Sequence, residues 1–323
     1  MRAVRCITVL LLICMPWAFA AFAQKVPPAP YQVRPEWVRA HEEFLASDAL
    51  QGRGGGTRDE LIAATYLGSQ MRAFGIAPAG EDGGYIQKVK LPGSDATRYT
   101  YNAVGKLTGS DPALAREAIL LTAHLDHLGM RPDAPGDNIY NGADDDASGC
   151  TAVLELARAL GSRPRPKRTV YFVFFGSEES GGFGARYFID HPPVPLEKLV
   201  ANLGFEMIGR PDPAIAPHTL WLTGYDRTTL GPELARHGVR LVADPHPEQN
   251  FFQRSDNYTL ARRGVVAQTV SSFGLHPQYH RPDDDLAHLD IAHMADAISA
   301  MVDPVVWLAN ADFRPQWLPG KKP

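Results

Sequence analysis

The sequence predicts an α/β fold, a single domain with a mostly parallel central β-sheet flanked by helices on both faces. Three observations carry that expectation. Apolar strand-like runs alternate with helical patterns along the chain. The most apolar run, Thr169 to Phe175, lacks the in–out alternation of a half-exposed strand, as burial on both faces requires. No linker or internal repeat divides the 323 residues, and that length is ample for one large core.

Taken in order, the chain opens with two arginines within Met1 to Arg5, an apolar run from Ile7 to Leu12, and small apolar residues from Ala18 to Ala23. This is the layout of a secretory signal peptide over residues 1–23, which predicts export to the periplasm or the medium. Gln24 to Pro35 holds Pro27, Pro28, Pro30 and Pro35 and reads as an extended leader. The domain proper is then residues 36–323. Glu36 to Leu45 reads as a helix. The glycine-rich Leu50 to Thr57 lacks the Gly-Lys-Ser/Thr of a phosphate loop. Thr57 and Glu60 form a capping box for a helix whose apolar face is Leu61, Ala64, Leu67, Met71 and Phe74, and Gly75 ends it.

Tyr85 to Leu91 and Tyr101 to Leu107 alternate like half-buried strands. Ala118 to Ala123 is a continuous apolar strand that delivers His124 and Asp126 at its end. Cys150 to Leu160 places Val153, Leu156, Ala157 and Leu160 on one helical face. Strands follow at Thr169 to Phe175, Val200 to Met207, Thr219 to Thr223 and Gly264 to Val270. No segment after the signal reads as long and apolar enough to span a membrane.

The formal charge is −4, and removal of Arg2 and Arg5 with the signal leaves 30 basic against 36 acidic residues, −6. Mild acidity without a basic patch argues against a nucleic-acid partner. Signal removal also leaves Cys150 as the one cysteine, so an intramolecular disulfide is excluded and Cys150 reads as a core residue.

Acidic and imidazole groups gather after successive strands, where α/β sheets place their sites. Asp144, Asp145 and Asp146 precede a helix. One of them suits its positive N-terminus, but a cap does not need three, and such a cluster is costly without a cation. His124 and Asp126 point to one side of a strand end, as a metal-binding imidazole and its orienting carboxylate do. Side chains of the adjacent Glu178 and Glu179 diverge, so one can bind metal while the other handles a proton. Glu206 interrupts an apolar strand, and a buried unpaired carboxylate there calls for a positive partner. His280 lies in the loop Tyr279 to Asp285. Alone, each has an ordinary explanation as a cap, a solvated turn or a surface histidine. Together they point to a pair of divalent metal ions, with one carboxylate bridging them.

The ordered set His124-x-Asp126, Gly142-Ala143-Asp144-Asp145-Asp146-Ala147-Ser148-Gly149, Glu178-Glu179, Glu206-Met207-Ile208-Gly209 and Tyr279-His280-x-Pro282-Asp283-Asp284 resembles the M28 family of zinc-dependent aminopeptidases. The segment Leu50-x-Gly52-Arg53 looks like secreted bacterial members, and between Leu91 and Tyr101 there is no room for the protease-associated insert that some members carry. The resemblance implies two zinc ions and peptide substrates with a free N-terminus. His124, Asp144 and Glu206 would hold one ion, and Asp144, Glu179 and His280 the other, with Asp144 bridging. Glu178 would be the general base, Asp126 the partner of His124, and Tyr279 a stabiliser of the oxyanion. The family further implies a strained peptide between Asp144 and Asp145, which leaves Asp145 in an outer shell and Asp146 as a helix cap. Glu206 stands where aspartate is usual, and Asn257 where many members have histidine. Two other readings share the pattern: a single-zinc acyltransferase resembling glutaminyl cyclase, and a catalytically silent binding protein.

Overall fold

The computed structural model describes residues 31–93, 98–133 and 135–323, so the signal-peptide reading and most of the proline-rich leader fall outside the described residues. Among these, nine strands build one sheet: β1 (Ala77–Pro78), β2 (Ile86–Lys90), β3 (Tyr99–Leu107), β4 (Ala118–His124), β7 (Thr169–Phe175), β8 (Leu199–Phe205), β9 (Leu220–Leu222), β10 (Leu241–Ala243) and β11 (Ala267–Ser271). A separate ribbon pairs β5 (Gly129–Met130) with β6 (Ile139–Tyr140). The sheet order is β1-β3-β7-β4-β8-β11-β9-β10, and β2 also pairs with β3. The four central strands β7, β4, β8 and β11 run parallel. Antiparallel β3 flanks them on one side and antiparallel β9 on the other.

Both faces of the sheet are covered, as a parallel centre demands. Along β7, Val170, Phe172 and Phe174 enter one apolar cluster, while Tyr171, Val173 and Phe175 enter a second on the opposite face. The first cluster holds α1 (Pro35–Leu45), α2 (Arg58–Ala73), α3 (Gly149–Gly161), α5 (Leu230–Arg236) and α7 (Ile291–Asn310). The second holds α4 (Phe183–Asp190) and α6 (Asn257–Arg262). Helix α2 begins as its sequence signals require. The Thr57 hydroxyl accepts from the Glu60 N–H at 3.2 Å, while the Glu60 carboxylate reaches back to the N–H of Gly56 at 2.7 Å.

Helix α7 corrects one expectation. By length and composition, with a mean hydropathy of 1.3, it is apolar enough to cross a membrane. Its apolar face, including Met294, Ile298, Met301, Val302, Val305 and Leu308, instead belongs to the core and packs against α1, α3 and α5. The carboxyl ends of β7, β4, β8 and β11 share one edge of the sheet, and the site is built beyond that edge.

Candidate metal centre

The last residue of β4 is His124. Its Nδ1–H donates to the backbone carbonyl of Asp126 at 3.1 Å, which leaves Nε2 a lone pair aimed outward. The Asp126 carboxylate is farther off, with Oδ1 at 3.7 Å from Nδ1, and it accepts the backbone N–H of Glu178 at 2.9 Å. Asp126 therefore orients His124 mainly through its main chain and anchors the Glu178 turn with its side chain.

His124 Nε2 lies 3.1 Å from Oδ1 of Asp145. The other oxygen of the same carboxylate, Oδ2, lies 3.1 Å from Nε2 of His280, which is itself 3.1 Å from Oε1 of Glu179. Glu206, after β8, completes a set with His124 and Asp145 whose donor atoms all fall within 4.8 Å of one another. The carboxylate between the two histidines thus belongs to Asp145, not to Asp144.

Asp144 turns the opposite way. Its Oδ1 accepts from the Gly209 N–H at 2.7 Å and the Ser148 hydroxyl at 3.2 Å, and its Oδ2 meets His276 Nε2 at 2.8 Å. The cause is distant in sequence. Asp284 takes the backbone N–H groups of Asp144 and Asp145 on its two carboxylate oxygens, at 3.0 and 3.1 Å. That clamp fixes the turn so that consecutive side chains diverge. The cis peptide joins Asp145 to Asp146 rather than Asp144 to Asp145. Asp146 is more than a cap: it accepts from Gly149 at the start of α3, and also from the N–H groups of His124 and Met207 at the ends of β4 and β8.

The turn needs Gly142, which sits at φ +58. A Cβ there would lie 2.2 Å from the Asp145 carbonyl oxygen and 2.4 Å from Cγ of His127. Beneath the turn lies Arg53, only 1% exposed, whose guanidinium donates to the carbonyls of Leu45, Leu125, Asn141 and Gly142. The glycine-rich loop before α2 is therefore a brace for the site.

Charge at the centre is strongly organised. Burial pushes the Asp145 carboxyl up, but contacts with His124 and His280 outweigh it and hold it well below the usual range. Burial disfavours charge on His124 and His280 too, yet their carboxylate neighbours prevail; His124 is held well above its ordinary value and His280 at about 9. Glu178 behaves oppositely. Burial, then the negative charge of Asp256, Glu206 and Glu179, raises it well above an ordinary carboxylate, against the lowering pull of His124. Burial also brings Glu206 to about 7 despite a hydrogen bond from Ser255.

Three atoms test whether a cation fits. His127 Nδ1, Glu179 Oε1 and His280 Nε2 are buried and make no hydrogen bond, although neighbours lie 3.0 to 3.1 Å away. Donor atoms this close that do not point at one another are satisfied by a common positive centre. Imidazole nitrogens and carboxylate oxygens form a set suited to zinc. His127 and Asp284 were not singled out by sequence reasoning. Asp284 lies within the Tyr279 to Asp285 loop, whereas His127 falls one residue beyond the His124-x-Asp126 motif.

Beside Glu206 opens a cavity of about 40 Å³ lined by Met207, Trp221, Phe251, Phe273 and Tyr279, among others. The Tyr279 ring stacks on His280 at 3.9 Å between centroids, and its hydroxyl accepts from Arg254 at 3.3 Å. Asn257, at the departure from the family pattern, is buried and donates to the carbonyls of Phe252 and Ala267.

The model of peptidase family M28 matches residues 102–304, which takes in every candidate ligand. A probable lipoprotein aminopeptidase, LpqL of Mycobacterium tuberculosis, is 31% identical over 194 residues, 59% of this chain and 35% of its own length. Aminopeptidase YwaD of Bacillus subtilis is 24% identical over 196 residues, 58% of this chain and 40% of its own. The chain thus spans well under half the length of these curated relatives. Among solved structures, BSAP, a zinc aminopeptidase from Bacillus subtilis, superposes with a TM-score of 0.67 at 15% identity, over 87% of this chain and 96% of its own. Glutaminyl cyclase from Porphyromonas gingivalis does so with a TM-score of 0.63 at 18% identity, over 85% and 98%. At such identities the superpositions speak for the fold, while the family match spans β3 to α7 and the whole candidate centre. The chain belongs to peptidase family M28.

Proposed function

We propose that the protein is an exported zinc aminopeptidase that removes N-terminal residues from peptides, working with two metal ions. The observation that carries this reading is the Asp145 carboxylate, with one oxygen toward His124 and the other toward His280. His124, Asp145 and Glu206 would hold one ion, and Asp145, Glu179 and His280 the other. When bound, the ions supply Lewis acidity, which acidifies a water and polarises the scissile carbonyl.

The remaining steps belong to side chains. Glu178, anchored by Asp126 and raised by burial, takes a proton from the attacking water and returns it to the leaving amine. Burial holds the Tyr279 phenol above its ordinary value, so it keeps the proton it donates to the developing oxyanion. The surplus of carboxylates around the centre, Glu178, Glu206 and Asp256 among them, favours a substrate ammonium group. The aromatic cavity beside Glu206 suits an apolar first side chain.

Purified protein assayed on free and N-blocked aminoacyl substrates, with and without chelator, tests the reading. Chelator-sensitive cleavage of the free substrates alone is expected; cleavage of N-blocked substrates alone would sink it. Glu178→Gln is expected to keep its zinc while turnover falls at least about 100-fold. The likeness in fold to glutaminyl cyclase favours one rival, an acyltransferase with a single zinc. A zinc stoichiometry of one together with pyroglutamate formation would establish it. For export, the N-terminus of protein recovered outside the cytoplasm is expected to be Gln24.

A further inference from the structure

We propose that His127 is a fourth protein ligand of the second ion, joining Asp145, Glu179 and His280. This inference rests on the two-ion reading above. The protein would then close that position with four donors of its own, against three from His124, Asp145 and Glu206 at the other.

His127 is 1% exposed, and neither ring nitrogen has a hydrogen-bond partner. Leaving two such atoms dry and unpaired is costly, so the ring calls for a partner. Its Nδ1 lies 3.0 Å from Glu179 Oε1 and 3.9 Å from Asp145 Oδ2, and the donor atoms of these three residues fall within 4.8 Å of one another. A simple hydrogen bond from His127 to Glu179 would place His127 as a support behind the ligand. The 3.0 Å contact lacks hydrogen-bond geometry, however, and Glu179 Oε1 is likewise unpaired.

The ring is also held in place. It packs edge-on against His280, with centroids 5.7 Å apart and planes at 69°. The space over its Cγ is the space that a Cβ at Gly142 would fill. Its backbone N–H donates to Arg53, 3.3 Å away, within a short bridge to the glycine-rich loop. Fold elements from three parts of the chain therefore fix one imidazole against the second donor set.

The test compares the unsubstituted protein with His127→Gln and His127→Ala. Zinc stoichiometry and affinity are read by competition with a chromophoric chelator, and melting of the metal-free proteins checks folding. Two ions are expected in the unsubstituted protein, with the second bound at least about tenfold more weakly in both variants and the first unchanged. X-ray absorption of the unsubstituted zinc-loaded protein counts imidazoles without any substitution. It is expected to find those of His124, His127 and His280 shared over two ions. Only two imidazoles there, or unchanged affinities in folded variants, overturns the ligation and leaves the two-ion reading standing. A single bound ion in the unsubstituted protein overturns both.

Discussion

A carboxylate that faces a different histidine with each oxygen cannot hand that task to its sequence neighbour. Asp145→Asn is expected to abolish binding of at least one ion, because an amide offers one oxygen where two are needed. Asp144→Asn is expected to keep the metal content, since Asp144 serves Gly209, Ser148 and His276 instead. Its cost falls on stability, about 1–3 kcal/mol for a disturbed buried hydrogen-bond set. Metal analysis and thermal melts on the two variants separate these outcomes; zinc loss from Asp144→Asn alone would reverse the assignment. The residue types at this centre were legible in the sequence, but their phase was not. Three identical aspartates in a row carry no mark of which one faces inward. That choice is made by Asp284, 140 residues away from Asp144, which no local spacing reveals.

At the scale of elements, the supports under the site come from the first helix and the loop after it. Glu42 on α1 is fully buried, accepts from Thr151 at 2.6 Å with one oxygen and has no partner for the other. Burial pushes its carboxyl up to about 8. The folded chain therefore holds a proton there that the unfolded chain releases near 4.5. The associated stability is fully present below that value and is lost as pH rises through about 8. Glu42→Gln, which does not titrate, is expected to gain in melting temperature on the unsubstituted protein steadily from pH 5 to pH 8. A pH-independent difference would refute this. Arg53→Lys is expected to cost at least about 3 kcal/mol, because one ammonium cannot serve four buried carbonyls; denaturant melts measure it. The long apolar strands and α1 to α3 were readable from periodicity. Helices α5 and α6 were not, at 7 and 6 residues, too short for a helical period to register. Helix α7 carries Pro304 inside it, a residue that ordinarily ends a helix.

For the whole molecule, the fold class was legible because a sheet buried on both faces must read as unbroken apolar runs. Strands β3 and β9 were legible as strands, but their antiparallel direction at the flanks of the parallel centre was not, since strand direction leaves no trace in composition. A centre so rich in carboxylates is also a liability when no cation is present. Metal removal is expected to lower the stability of the entire domain, by about 2.7 kcal/mol relative to zinc at a hundredfold excess over its dissociation constant. Scanning calorimetry with and without chelator reads this as a downward shift of the melting temperature. Equal melting temperatures would mean that the acidic cluster is satisfied by protons alone.

The strand order β7-β4-β8-β11 has one more consequence, for the sequence of events in folding. Neighbours in the sheet are far apart in the chain, and the candidate donors run from His124 to His280. A growing chain that has delivered β4, β7 and β8 holds most of the carboxylates but still lacks β11 and the histidine loop beyond it. Such long-range pairing closes late. Assembly of the complete donor set, from His124 to His280, is thus postponed until the last central strand has docked and the loop beyond it has closed.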